Sequence, residues 1–178
     1  MAGIKRGAAA FVVAGLAGLA PAEGPASAVR FPGAATRAVD PTGRYAVECV
    51  GAEQAAQPVC HGLLLRELAS GKTRPLRAFG AWATVLWAPS GRRVAVTDGV
   101  ASARSEVWVY RADEPSAPVD VSEVLEHQRK SGLAFAAGAD HRYLETVRWA
   151  EETTLVVRLW GYGGPKPFDR QLDVKLGD

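Results

Sequence analysis

Histidine and cysteine, the residues that most often hold metals or supply a nucleophile and its base, are scarce here: three His and two Cys in 178 residues. His61, His127 and His141 show neither the i, i+4 helical pairing nor the short strand spacing of a zinc site, and Asp140-His141 with His127 is the nearest approach to a ligand cluster. No serine stands in Gly-x-Ser-x-Gly, so a nucleophile elbow is missing. Ser70-Gly71-Lys72-Thr73 ends like a P-loop, yet Arg66 occupies the position where that motif needs its first glycine, and the segment joins two strand-like runs. Asp98-Gly99 lacks the spaced acids of a calcium loop. No cofactor is therefore expected. Charge of one sign is lacking too: the formal net charge is +2, with no basic run, which argues against nucleic acid as a partner and against polybasic docking on a membrane. After residue 28 no stretch is long and apolar enough to span a bilayer.

What is present begins with a leader. Lys5 and Arg6 form a positive start, residues 8–20 are apolar and uncharged, and Ala26-Ser27-Ala28 offers small residues for cleavage. No cysteine follows at that point, so a lipid anchor is not expected. Residues 1–28 read as a signal peptide and residues 29–178 as one β domain with a core of its own. Export is expected, to the periplasm or beyond, and richness in Ala, Gly and Arg fits a high-GC bacterial source. In an oxidising compartment the isolated pair Cys49 and Cys60 reads as one disulfide stapling a hairpin loop of small and polar residues.

Strand signals recur at short intervals: residues 44–50, 62–68, 73–78, 82–87, 92–97, 106–111, 118–121, 143–149, 154–160 and 170–176. Several alternate cleanly, as where Leu172, Val174 and Leu176 interleave with Asp173 and Lys175. One segment, residues 120–130, instead predicts a short amphipathic helix with Ser122 as its cap and Val121, Val124, Leu125 and Gln128 on one face. The turn signature Trp87-Ala88-Pro89-Ser90-Gly91-Arg92 has an earlier copy at Val39-Asp40-Pro41-Thr42-Gly43-Arg44 and a degraded one at Trp149-Ala150-Glu151-Glu152. Strand–turn–strand units of this kind predict an all-β fold assembled from related sheets.

The Trp-x-Pro-x-Gly-Arg units resemble the repeat of the periplasmic propeller proteins of the bacterial Tol system. Trp87, Pro89, Gly91 and Arg92 carry the likeness, with Pro41, Gly43 and Arg44 in the first unit and Trp149 in the third. The resemblance implies propeller-like antiparallel sheet units, about three of them, with one short inserted helix. Propellers close with about 4–8 blades, so either the units form an open or sandwich-like stack or several chains complete a ring. Trp87 and Trp149 are expected at equivalent buried positions in successive sheets, ahead of the turn, with Val94 and Val96 matching Val156 and Arg158.

Blade topology would gather the longer connections at the end away from the Pro-x-Gly turns, and binding usually resides on long loops over a rigid scaffold. The candidate binding face is Asp98, Arg104, His127, Asp140, His141, Tyr162 and Lys166. The function expected is non-catalytic binding of another exported protein or an envelope component. Two further readings are a small hydrolase of an envelope substrate and an inhibitor of an extracellular hydrolase.

Overall fold

The computed structural model describes residues 27–51, 60–128 and 138–177. Most of the segment expected as a leader (residues 1–26), residues 52–59 between the two cysteines, residues 129–137 after the helix, and residue 178 lie outside the described residues. The strands are β1 (Val29–Phe31), β2 (Arg37–Val39), β3 (Tyr45–Gly51), β4 (Cys60–Glu67), β5 (Thr73–Ala78), β6 (Trp82–Trp87), β7 (Arg93–Ala101), β8 (Arg104–Arg111), β9 (Val119–Asp120), β10 (His141–Glu151), β11 (Thr154–Tyr162) and β12 (Phe168–Lys175). The one helix among the described residues, α1, spans Val121–Gln128. The chain is thus mostly β, as its alternation implies. The three-residue strands β1 and β2 are additions: they are too short to show a period, and a Pro-Gly pair follows β1 directly.

The strands form two sheets. A four-stranded meander runs β2-β3-β4-β5, and an eight-stranded sheet runs β1-β6-β7-β8-β10-β11-β12 with β9 added against β8. Neither closes on itself. All ladders are antiparallel but one: β8 and β10 meet in parallel over two residue pairs, Arg104 with Arg142 and Ser105 with Tyr143. Units two and three are therefore parts of one hydrogen-bonded sheet. That short ladder is a crease, because the sheet folds there and packs on itself.

Period-two alternation sorts the apolar residues into two cores. Val85, Val94, Val96 and Tyr110 pack with Val47, Leu63 and Leu65 of the four-stranded sheet in the first core. Ala95, Val107 and Val109, on the opposite face, pack with Leu144, Leu155, Val157, Leu159 and Leu172 in the second. Val121 and Leu125 of α1 are buried in that second core. The helix is capped by Asp120, whose carboxylate accepts the Ser122 N–H at 2.7 Å, two residues before the expected Ser122 cap, because α1 already starts at Val121.

The tryptophans bind the stack. Trp87, 3% exposed, donates its indole N–H to the Ala38 carbonyl at 3.0 Å. Trp149 donates to the Leu86 carbonyl at 3.1 Å, but it is half-buried rather than buried as expected and shares one sheet with Trp87. Ala38 and Leu86 each directly precede the aligned position of the signature, Val39 and Trp87, so each indole reaches the same carbonyl of the preceding unit. The finer frame needs correction. Val39 pairs with Ala46 and Trp87 with Val94, but Trp149 pairs with Leu155. The third turn is one residue shorter, so Val94 and Val96 match Leu155 and Val157.

Cys49 and Cys60 are joined by a disulfide with Cα atoms 5.6 Å apart. Such a bond belongs to an oxidising compartment outside the cytoplasm. Among the described residues no helix is long and apolar enough to cross a membrane.

Candidate functional site

The site is built where strand ends meet opposite the Pro-x-Gly turns. The Arg142 N–H donates to the Ala103 carbonyl at 2.9 Å, and the Ala81 N–H to the Gly99 carbonyl at 2.9 Å. The Tyr143 hydroxyl donates to the Ser102 carbonyl. Gly163 lies against the Asp140 side chain, close enough that a Cβ there would sit 2.8 Å from that of Asp140. Residues 99–104, 138–143 and 161–164 are thereby drawn together.

Between them and α1 lies a hollow of about 440 Å³, lined by Arg104, Glu106, Ser122, Glu126, Asp140 and Arg142 among others. The parallel ladder sets Arg104 and Arg142 side by side. Arg104 reaches Glu106 at 2.8 Å. Arg142, Asp140 and Glu126 form no ion pair among the described residues. Both signs of charge are therefore present and uncommitted, at groups held by a strand, a helix and a tight glycine contact.

Beside the hollow is an aromatic patch on the outward face of β10 and β11. The ladder pairs His141 with Tyr162 and Tyr143 with Trp160. His141 and Tyr162 stack at 4.2 Å between ring centroids, Tyr143 and Trp160 at 4.1 Å. The His141 Nδ1 lies 3.1 Å from the Tyr143 hydroxyl. Burial away from water is the main cause that pushes the Tyr143 phenol up from 10.0, with Tyr162 and Glu145 adding to it. Tyr162 is 46% exposed, so the patch presents ring edges to solvent.

The seven residues expected on this face separate into groups. Arg104 and Asp140 line the hollow, and His141 and Tyr162 form the adjoining patch. Lys166 is exposed on the following loop. His127 is exposed on α1, with its Nδ1 2.8 Å from the Glu123 carbonyl one turn back, and is not among the residues lining the hollow. Asp98 departs most from the expectation. It lies within β7, 2% exposed, where Arg77 grips it at 2.6 Å while also bonding Glu106 at 3.1 Å. A buried carboxylate needs such a partner, and here it links the two sheets. The connection 98–104, expected as a loop, is mostly strand, since β7 runs to Ala101 and β8 starts at Arg104, whereas residues 163–167 do form a loop between β11 and β12.

Arg142, Tyr143, Trp160 and Glu126 were not foreseen. Period two offered a signal for two of them, because Tyr143 follows His141 and Trp160 precedes Tyr162 by two residues, placing each pair on one face. Arg142 carried no such signal, since its position depends on the parallel ladder to β8.

A second cleft of about 450 Å³ opens at the other end, between Glu67, Lys72, Arg74, Asp113 and Glu114. Its charges are largely committed: Arg74 donates to the Arg111 and Glu114 carbonyls, and Arg92 holds Asp113 at 3.0 Å. Among the described residues no group of three or more His, Cys, Asp or Glu could hold a metal ion. No protein-family model matches this chain, and no curated protein matches it either.

Proposed function

We propose that this is an exported binding domain built of propeller-type sheet units, which holds a protein or envelope component without catalysis in the hollow between α1 and the β8–β10 crease. The observation that carries this reading is the gathering of both signs of charge in one hollow, where Arg142, Asp140 and Glu126 form no ion pair among the described residues. Charges left unpaired beside one another can meet complementary groups of a partner. Their backbone positions are set in advance by β10, α1 and the Gly163 contact, which limits the ordering that binding requires. The adjoining aromatic patch supplies large contact area of the kind enriched at interfaces. Export is supported by the leader-like residues 1–28 together with the disulfide, and propeller-type units by the repeated indole-to-carbonyl staple of Trp87 and Trp149.

The test uses the mature protein immobilised against a solubilised envelope fraction, with Arg104→Ala and Tyr162→Ala compared with the parent. Both side chains are exposed and lie outside the cores, so the melting temperature should move by no more than about 2 °C. Retention of a specific component should fall about tenfold or more in each variant. Undiminished retention by both variants would overturn the proposed use of this face.

A further inference from the structure

Units one and two each end in a fourth strand. β5 lies against β4, and β9 lies against β8. Unit three has only β10, β11 and β12, and β12 is the last strand of its sheet, with no strand on its outer edge among the described residues. Among the described residues, no strand takes beside β12 the position that β5 and β9 fill. We propose that the outer edge of β12 is a second binding site, distinct from the hollow, which receives an extended segment of a partner protein as a fourth strand.

The backbone of β12 shows which groups would bond. In an antiparallel ladder, alternate residues direct both N–H and C=O toward the same neighbour. The Leu176 N–H turns inward to the Thr153 carbonyl at 2.8 Å. Lys175 turns outward, its N–H and C=O both engaged by the Gln128 side-chain amide of α1. Continuing the alternation, Gln171 and Asp173 direct their N–H and C=O to the open edge, as does Asp169, whose carbonyl accepts from the Arg170 guanidinium. Gln128 imitates a neighbouring strand at one residue and marks where the incoming segment must stop.

The side chains specify the segment's chemistry. Residues opposite Leu172 and Val174 would point toward the second core, where both are buried and Val124 of α1 is half-buried, and so should be apolar. Residues opposite Asp169 and Asp173 would lie beside carboxylates. Asp169 is already forked by Arg158 at 2.9 and 2.6 Å, but Asp173 is exposed and forms no ion pair among the described residues. The fitting partner is therefore a strand of alternating apolar and basic residues. Main-chain bonds would supply affinity and the alternate side chains specificity, as in other strand additions. The charges on β12 also explain how an open edge avoids indiscriminate pairing.

The experiment titrates the mature protein with a fluorescein-labelled peptide of about seven residues alternating valine and lysine. Its controls are the same peptide N-methylated at alternate backbone nitrogens and one with glutamate in place of lysine. Saturable binding should be seen with the first peptide alone, and Asp173→Lys should weaken it about tenfold. In amide hydrogen exchange, Gln171 and Asp173 should exchange quickly in the free protein and become protected at saturation. Equal binding of the N-methylated peptide, or unchanged exchange at both amides, would overturn the proposal. So would a free protein that dimerises with those amides already protected, since the occupant would then be a second copy. Arg104→Ala and Tyr162→Ala should leave peptide binding unchanged, which separates this site from the hollow.

Discussion

Tyr110 shows how one residue links the two sheets. It is 4% exposed and lies in the first core near the Arg77–Asp98 pair. Burial raises its phenol above 10.0, and the nearby Arg77 only partly offsets that. The native chain therefore keeps a proton that the unfolded chain loses near that pH. The stability tied to this group is whole below about pH 10 and is lost as pH rises through the higher folded value. Tyr110→Phe should consequently flatten the fall in stability above about pH 10 relative to the parent, measured by urea denaturation at each pH. Parallel curves for the two proteins would show that another group titrates. Asp98 carries a related lesson. A carboxylate just after a run of small apolar residues reads from sequence as the start of a loop, and only the arrival of Arg77 from the other sheet makes its burial tolerable.

Among the elements, the Pro-x-Gly turns do more than reverse the chain. Gly43 and Gly91 occupy the same place in two copies, with φ of 70° and 69°, in the left-handed region that favours glycine. Their surroundings differ. A Cβ at Gly43 would meet nothing within 4 Å, whereas one at Gly91 would collide with the Asp40 carboxylate of the preceding unit. Asp40 cannot easily yield, because it also accepts the Arg44 and Tyr45 N–H groups at 2.7 and 2.9 Å. Gly43→Ala should cost about 1 kcal/mol of backbone strain, and Gly91→Ala at least about 2 kcal/mol more. Chemical denaturation of both variants checks this, and equal losses would show that turn-to-turn packing adds nothing. The turns themselves were legible, since Pro and Gly act locally. Their contact was not, because nothing in either copy alone says that the next one stacks on it.

At the scale of the whole molecule, the disulfide fastens the two central strands of the four-stranded sheet, β3 and β4, at one end and next to the first core. Cys49 and Cys60 close a loop with a sequence separation of 11, and a closure of that size is worth about 3 kcal/mol in the chain-entropy description. Cys49→Ser with Cys60→Ser should lower stability by about that amount in guanidinium titration while leaving the hollow in place, since both cysteines pack against the first core and the hollow borders the second. A loss of the hollow's binding in that variant would show that the two cores are coupled. The sequence by itself determined the β-rich class, the helix, the paired cysteines and the repeating turns. Each of those rests on local chemistry: a side-chain period of two or 3.6, a fixed φ, two thiols in an oxidising place. Only the tertiary structure decided that units two and three share a creased sheet, that Asp98 is an internal strut, that Arg142 stands beside Arg104, and that no strand adjoins the outer edge of β12 among the described residues. Those features depend on which strand meets which across dozens of residues, and pairing over such distances leaves no periodic mark in the chain.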